Sequence, residues 1–158
     1  MKKMKLSGRI HARIEDITRP MPYDDKSFDF IYTRLILHYL TRQELDRTLK
    51  ELYRILKPKG MIFIVVRSKK DWETNQPKAV YNDNTCMLTY PILDSSMEYT
   101  QKKTSRYFHS PHTISSHLKS AGFNIRYTKE YKEQIFYDYM RTAPVPKLSS
   151  IIELLADK

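Results

Sequence analysis

The run from Phe28 to Val66 constrains this chain more than any other stretch. Phe28 to Thr33 is a nearly continuous apolar segment, the kind buried on both faces of a sheet. Thr41 and Glu44 then have the spacing of a capping box, in which hydroxyl and carboxylate satisfy each other's orphan amides. Leu45, Leu49, Leu52 and Leu56 follow on one helical face, with Arg42, Asp46, Arg47, Lys50 and Arg54 off the stripe. Pro58 and Gly60 are expected to end this helix. Met61 to Val66, rich in β-branched residues, reads as a second buried strand. Two apolar strands joined by an amphipathic helix form a βαβ unit, with parallel strands and a right-handed crossover expected.

The rest of the chain extends the α/β pattern. Residues 1–8 read as a basic N-terminal arm and 9–158 as one domain. Arg9 to Asp16 alternates, with Ile10, Ala12 and Ile14 on one face, and predicts a short strand. Pro20 and Pro22 break structure, and residues 24–27 predict a turn. Residues 68–109 are weakly periodic and read as a long lid or loop with some helix. Ser110-Pro111 predicts a helix start, Ile114, Leu118 and Ala121 its inner face, and Gly122 its C-terminal cap. Phe123 to Tyr127 alternates as a strand, Gln134 to Met140 is ambiguous, and Ile151 to Ala156 has the length of a strand.

Composition narrows the function classes. A single cysteine, Cys86, excludes an intramolecular disulfide framework and a zinc cluster of cysteines. His109 and His112 stand three residues apart, but no carboxylate or thiol joins them in a metal-binding pattern. The longest apolar run, Met61 to Val66, is too short to span a bilayer, so no membrane partner is expected and a cytoplasmic location is the default. The net charge of +10 favours an anionic partner, but the cations are spread along the chain. Nucleic acid is supported by that charge alone.

Several segments together resemble the class I S-adenosylmethionine-dependent methyltransferases, of the small-molecule "type 11" pattern. These are Glu15-Asp16-Ile17 with Pro20 and Pro22, Phe28-Asp29, His38-Tyr39-Leu40, Leu56-Lys57-Pro58-Lys59-Gly60, Ala121-Gly122-Phe123, and Ala156 to Lys158. The resemblance covers residues from about 9 to the end and implies a truncated Rossmann-like methyltransferase fold. Its sheet would be mostly parallel with a C-terminal antiparallel strand. Such a domain opens with a glycine-rich loop that holds the cofactor. The only glycines here are Gly8, Gly60 and Gly122, and no two lie near each other. By resemblance the chain is the second half of the fold, with S-adenosyl-L-methionine as family cofactor and a small-molecule substrate.

The resemblance also implies site residues. Asp16 is the family position that accepts from the adenine amino group, with Ile17 packed beside the ring; equally, Asp16 could cap the turn after its strand. Thr33 and Arg34 end the central strand, where cofactor-facing groups sit. His38 is a candidate general base. Tyr39, Arg67, Tyr107 and His109 are candidate substrate-pocket residues. Three functions follow. One is a methyltransferase inactive without its cofactor loop. Another is a non-catalytic interaction module, because a missing first strand would leave Phe28 to Thr33 with an open edge. The third is a basic nucleic-acid binder. The edge predicts a homodimer, or a complementing N-terminal half.

Overall fold

The computed structural model describes residues 10–93, 99–136, 140–144 and 147–158. The expected arm at 1–8 lies outside the described residues. Strand β1 (Phe28–Arg34) pairs in parallel with β2 (Leu56–Arg67), and helix α1 (Arg42–Ile55) connects them. Helix α2 (Pro111–Ala121) leads into β6 (Asn124–Glu133), and β7 (Ser149–Asp157) inserts antiparallel between β2 and β6. The main sheet therefore runs β1-β2-β7-β6, with β7 alone reversed.

Both helices form for the reasons legible in their ends. Thr41 and Glu44 make the reciprocal capping box, and Leu45, Leu49, Leu52 and Ile55 are buried on the sheet side. Ser110 and Thr113 make the equivalent box on α2, with Pro111 in its first turn and Ile114 and Leu118 buried. Gly122 takes φ 107°, and its amide donates to the Lys119 carbonyl at 3.0 Å. That is the left-handed cap glycine permits. A further cap closes α1: the Lys158 ammonium donates to the carbonyls of Tyr53 at 2.6 Å and Leu56 at 2.9 Å and lies over the Tyr53 ring.

Four expectations are corrected. Residues 10–16 form no strand: they have no strand partner among the described residues, and Ile10 and Ile14 are exposed. Alternation marks a strand only if an edge is there to receive it. Pro58 and Gly60 do not end the helix. It stops at Ile55, and β2 begins at the next residue. Pairing jumps from Phe28–Leu56 to Phe30–Met61, so Lys57 to Gly60 bulge out of the ladder before regular pairing resumes at Met61.

The described part of 68–109 is not one long loop. It holds a second, antiparallel sheet of β3 (Val80–Asn82), β4 (Met87–Leu93) and β5 (Tyr99–Tyr107), after a 3-10 turn at Trp72–Asn75. Strand β6 runs to Glu133, six residues past the expected Tyr127. Of the ambiguous stretch 134–140, residues 137–139 lie outside the described ones, and Phe136 makes one bridge to Pro144. The central strand β7 is buried on both faces through Ile151, Ile152, Leu154 and Ala156.

A Cβ on Gly122 would sit 2.9 Å from the Tyr53 ring, in addition to the left-handed backbone it would have to hold. Gly122→Ala should therefore destabilise the fold by about 1–2 kcal/mol, read as a shift of the denaturant midpoint. An unchanged midpoint would contradict the packing of α2 on α1.

Candidate functional site

Two sets of residues meet at the carboxyl ends of β1 and β2. The first lies beside β1. An apolar groove of about 460 Å³ is lined by Ile17, Met21, Phe28, Ile31, Thr33 and Leu52, among others. Its outer wall, residues 17–25, is tied to α1. The Thr48 hydroxyl donates to the Ile17 carbonyl at 2.9 Å, and the Arg54 guanidinium bonds the Met21 and Tyr23 carbonyls, Asp25 and Glu51.

Asp16 stands at the mouth of this wall, exposed. It accepts from the Thr18 amide at 3.0 Å and the Thr18 hydroxyl at 2.7 Å, with Arg19 at 3.2 Å. The Thr18 bonds, above all, hold its carboxyl below the ordinary range. In this geometry Asp16 caps the turn at 16–19. The Thr33 hydroxyl is buried without a partner among the described residues. Arg34 is committed to Glu133 at 2.5 Å, a bond that raises its pKa.

The second set joins the two sheets. Arg67, at the end of β2, is 7% exposed. Its guanidinium donates to Asp71 at 3.0 Å and to the Ser149 hydroxyl at 2.5 Å, and it pairs with Glu73 at 3.2 Å. Asp71 is fully buried and also accepts from the amides of Ser150 and Glu73. Glu73 in turn receives Arg106 at 3.0 Å. The Arg106 guanidinium lies over the rings of both Tyr39 and Tyr90. His38, 2% exposed, sits against the Tyr39 ring at 4.3 Å. Burial first, then Arg67 and Arg106, push its pKa down to about 3. His38 is thus a neutral imidazole through the physiological range, and its Nδ1 has no partner among the described residues.

A third group lies behind the end of β5. The Asp46 carboxylate of α1 accepts from His117 Nδ1 at 2.6 Å, and His117 Nε2 takes the Tyr107 hydroxyl at 2.8 Å. Carboxylate, imidazole and phenol form a linear chain in which the carboxylate fixes the tautomer. His109 stacks 4.2 Å from the Tyr107 ring, is fully buried, and has neither ring nitrogen bonded among the described residues. Burial, with His117 and His38 nearby, pushes its pKa down to about 3.

The proposed pocket residues are thus divided. Tyr39 and Arg67 are linked through Arg106 and Glu73, whereas Tyr107 and His109 contact each other towards α2. Sequence reading did not single out Asp46, Asp71, Glu73, Arg106 or His117. Asp46 and His117 each neighbour a buried leucine of their helix stripe, a position that marks partial burial but names no partner. Among the described residues no group of three His, Cys, Asp or Glu could hold a metal, and no helix is long and apolar enough to cross a membrane.

Comparison with known proteins agrees with this architecture. Residues 1–64 match the family model described as a methyltransferase domain. The fold matches a SAM-dependent methyltransferase structure from Methanosarcina mazei over 92% of this chain and 66% of that one, at 17% identity and a TM-score of 0.67. It is also similar to a S-adenosylmethionine-dependent methyltransferase from Clostridium acetobutylicum, covering 92% of this chain and 63% of that one at 16% identity and TM-score 0.54. A third similar structure, a SAM-dependent enzyme from Thermotoga maritima described as a possible histamine N-methyltransferase, is 19% identical over 91% of this chain and 62% of that one, with TM-score 0.53. The chain spans less than two thirds of the length of each. No curated protein matches the sequence.

Two predictions follow from the buried charges. A histidine with an ordinary pKa of 6.5 when unfolded and about 3 when folded binds more protons unfolded between those values. Stability is therefore full above pH 6.5 and falls as pH drops towards 3. Carboxylates add to the fall only below about pH 5. Denaturant melts of His109→Phe should thus show a shallower decline between pH 6.5 and 5 than the parent; identical slopes would contradict a buried neutral His109. Asp71→Ala leaves the buried Arg67 with Glu73 alone, which it shares with Arg106, and takes the acceptor from the Ser150 and Glu73 amides; it should cost about 3 kcal/mol, whereas exposed Asp25→Ala should cost under about 1 kcal/mol.

Proposed function

From the class I methyltransferase fold of this chain and the methyltransferase-domain match of its residues 1–64, we propose that it works as the carboxyl-terminal part of a S-adenosyl-L-methionine-dependent methyltransferase acting on a small molecule. The small-molecule class is supported by the type 11 resemblance and by the similarity to the possible histamine N-methyltransferase of Thermotoga maritima. In this reading Ile17 and Thr33 stand beside the adenine, with Asp16 at the groove mouth and Arg34 behind. His38, Tyr39 and Arg67 face the acceptor side.

The described residues fit only one end of that cofactor. The apolar groove and the unpartnered Thr33 hydroxyl suit the edge of a heterocycle. Gly60 and Gly122 are the described glycines, and neither lines the groove, so no backbone there admits the close approach a methionine or ribose needs. In this reading the described residues need a further segment to complete a cofactor site.

The observation that carries the reading is the outer edge of β1. It has no partner strand among the described residues, and Phe30 and Tyr32 are 51% and 56% exposed beside the groove. Such an edge can take a strand from a second copy, from a complementing N-terminal half or from a preceding segment of the same protein. Pairing there brings the missing wall of the cofactor site. The same edge also favours the second reading, a non-catalytic docking module.

Calorimetric titration of the chain alone with millimolar S-adenosylmethionine should give no heat. Mixing with an N-terminal half carrying a glycine loop should produce binding, weakened about tenfold by Asp16→Ala. Heat from the chain alone would overturn the need for a partner. Pairing without cofactor binding would leave the docking module. Light scattering at high concentration should give a mass above one chain, and a mass of one chain would remove self-association.

A further inference from the structure

The cleft between α1 and α2 shares no lining residue with the groove beside β1. Its volume is about 390 Å³, within the range of small-molecule sites. Helix α1 lines it with Arg42, Asp46 and Lys50, and α2 lines it with His112, Ser116 and Ser120. Spacings of four place each set on one helical face. Tyr107 and Cys86 form an apolar floor, and the Tyr107 hydroxyl is held by His117.

The charge in this cleft is unbalanced. The Asp46 carboxylate is committed to His117 Nδ1. Arg42 and Lys50, about 12 Å apart along the α1 axis, form no ion pair among the described residues. Helix α2 has no acidic residue in its first turn, so its end is capped by the Ser110 and Thr113 hydroxyls but carries no countercharge. His112 and Thr113 of that turn line the cleft. Two cations without an ion pair among the described residues, the amino-terminal end of α2 and the Ser120 hydroxyl line a half-open space, while the Ser116 hydroxyl donates to the His112 carbonyl at 2.9 Å.

We propose that this cleft binds the phosphate group of a small phosphorylated molecule, with Arg42 and Lys50 as its cationic contacts. A phosphate offers three acceptor oxygens and nearly two charges, which matches separated cations flanked by hydroxyls. The Arg42 fork bonds phosphate oxygens in pairs, while Lys50 supplies a point charge. The Tyr107 and Cys86 floor receives the organic part. The volume of about 390 Å³ suits a small molecule.

The test uses inorganic phosphate as the probe, titrated into the full chain at constant ionic strength with chloride as the balancing anion. Backbone amide shifts should saturate and concentrate on residues 42–50 and 111–121. Arg42→Gln and Lys50→Gln should each weaken binding about tenfold, the scale of one charge-assisted bond. Lys119→Gln, an exposed cation on α2 outside the cleft, should leave it unchanged. Arg42 and Lys50 are themselves exposed, so thermal melts of the variants should overlay the parent. Unsaturable shifts, shifts spread over the whole surface, or equal weakening by Lys119→Gln would overturn the proposal.

Discussion

The buried pair of Arg67 and Asp71 is the interaction on which the functional end of this fold depends. Arg67 closes β2, Asp71 opens the 3-10 turn that leads into the second sheet, and both reach the start of β7 through Ser149 and Ser150. Two charges taken out of water are stable together only if their remaining donors and acceptors are filled. Asp71 meets that demand with two backbone amides, and Arg67 with a hydroxyl and a second carboxylate, Glu73. Removing Arg67 strands Asp71 in a low-dielectric site, and removing Asp71 leaves Arg67 to share Glu73 with Arg106. The chain from Glu73 to Arg106 then reaches the surface, where Tyr39 and Tyr90 sandwich the guanidinium.

This hub fixes where the second sheet sits. The His109 amide donates to the Arg67 carbonyl, and the Lys69 amide to the His109 carbonyl, so the end of β5 is stitched beside the end of β2. That placement puts His38 and His109 inside, away from water, and keeps both imidazoles neutral. It also brings Tyr107 against His117 of α2. The geometry of the two sides of the molecule thus follows from one ionic knot between sheets.

The local parts of the fold were legible and the assembled parts were not. The capping boxes at Thr41 and Ser110, the leucine stripe of α1 and the glycine cap at 122 are set within a few residues, and they form as their patterns imply. The second sheet was missed because β5 reads Tyr-Thr-Gln-Lys-Lys-Thr-Ser-Arg-Tyr, polar on most positions, with burial concentrated at Tyr107 and the following Phe108. Residues 10–16 had the alternation of a strand, but pairing is supplied by another segment and cannot be read from one. Of the residues expected from order along the chain, Ile17, Thr33 and Arg34 line the groove beside β1, and Asp16 caps the turn before it. Asp46 and His117, 71 residues apart, meet only because α1 and α2 pack.

Both proposed contact surfaces are faces that the main packing leaves over, and the open edge of β1 is the central one. Strand β7 has neighbours on both sides, whereas β1 has one among the described residues. Hydrogen exchange resolved by strand tests this most directly. At low concentration the amides of β1 should exchange well before those of β7, and they should gain protection when a partner strand is supplied or the chain is concentrated. Protection of β1 equal to that of β7 at every concentration, unchanged by any partner, would contradict an edge built to receive a strand.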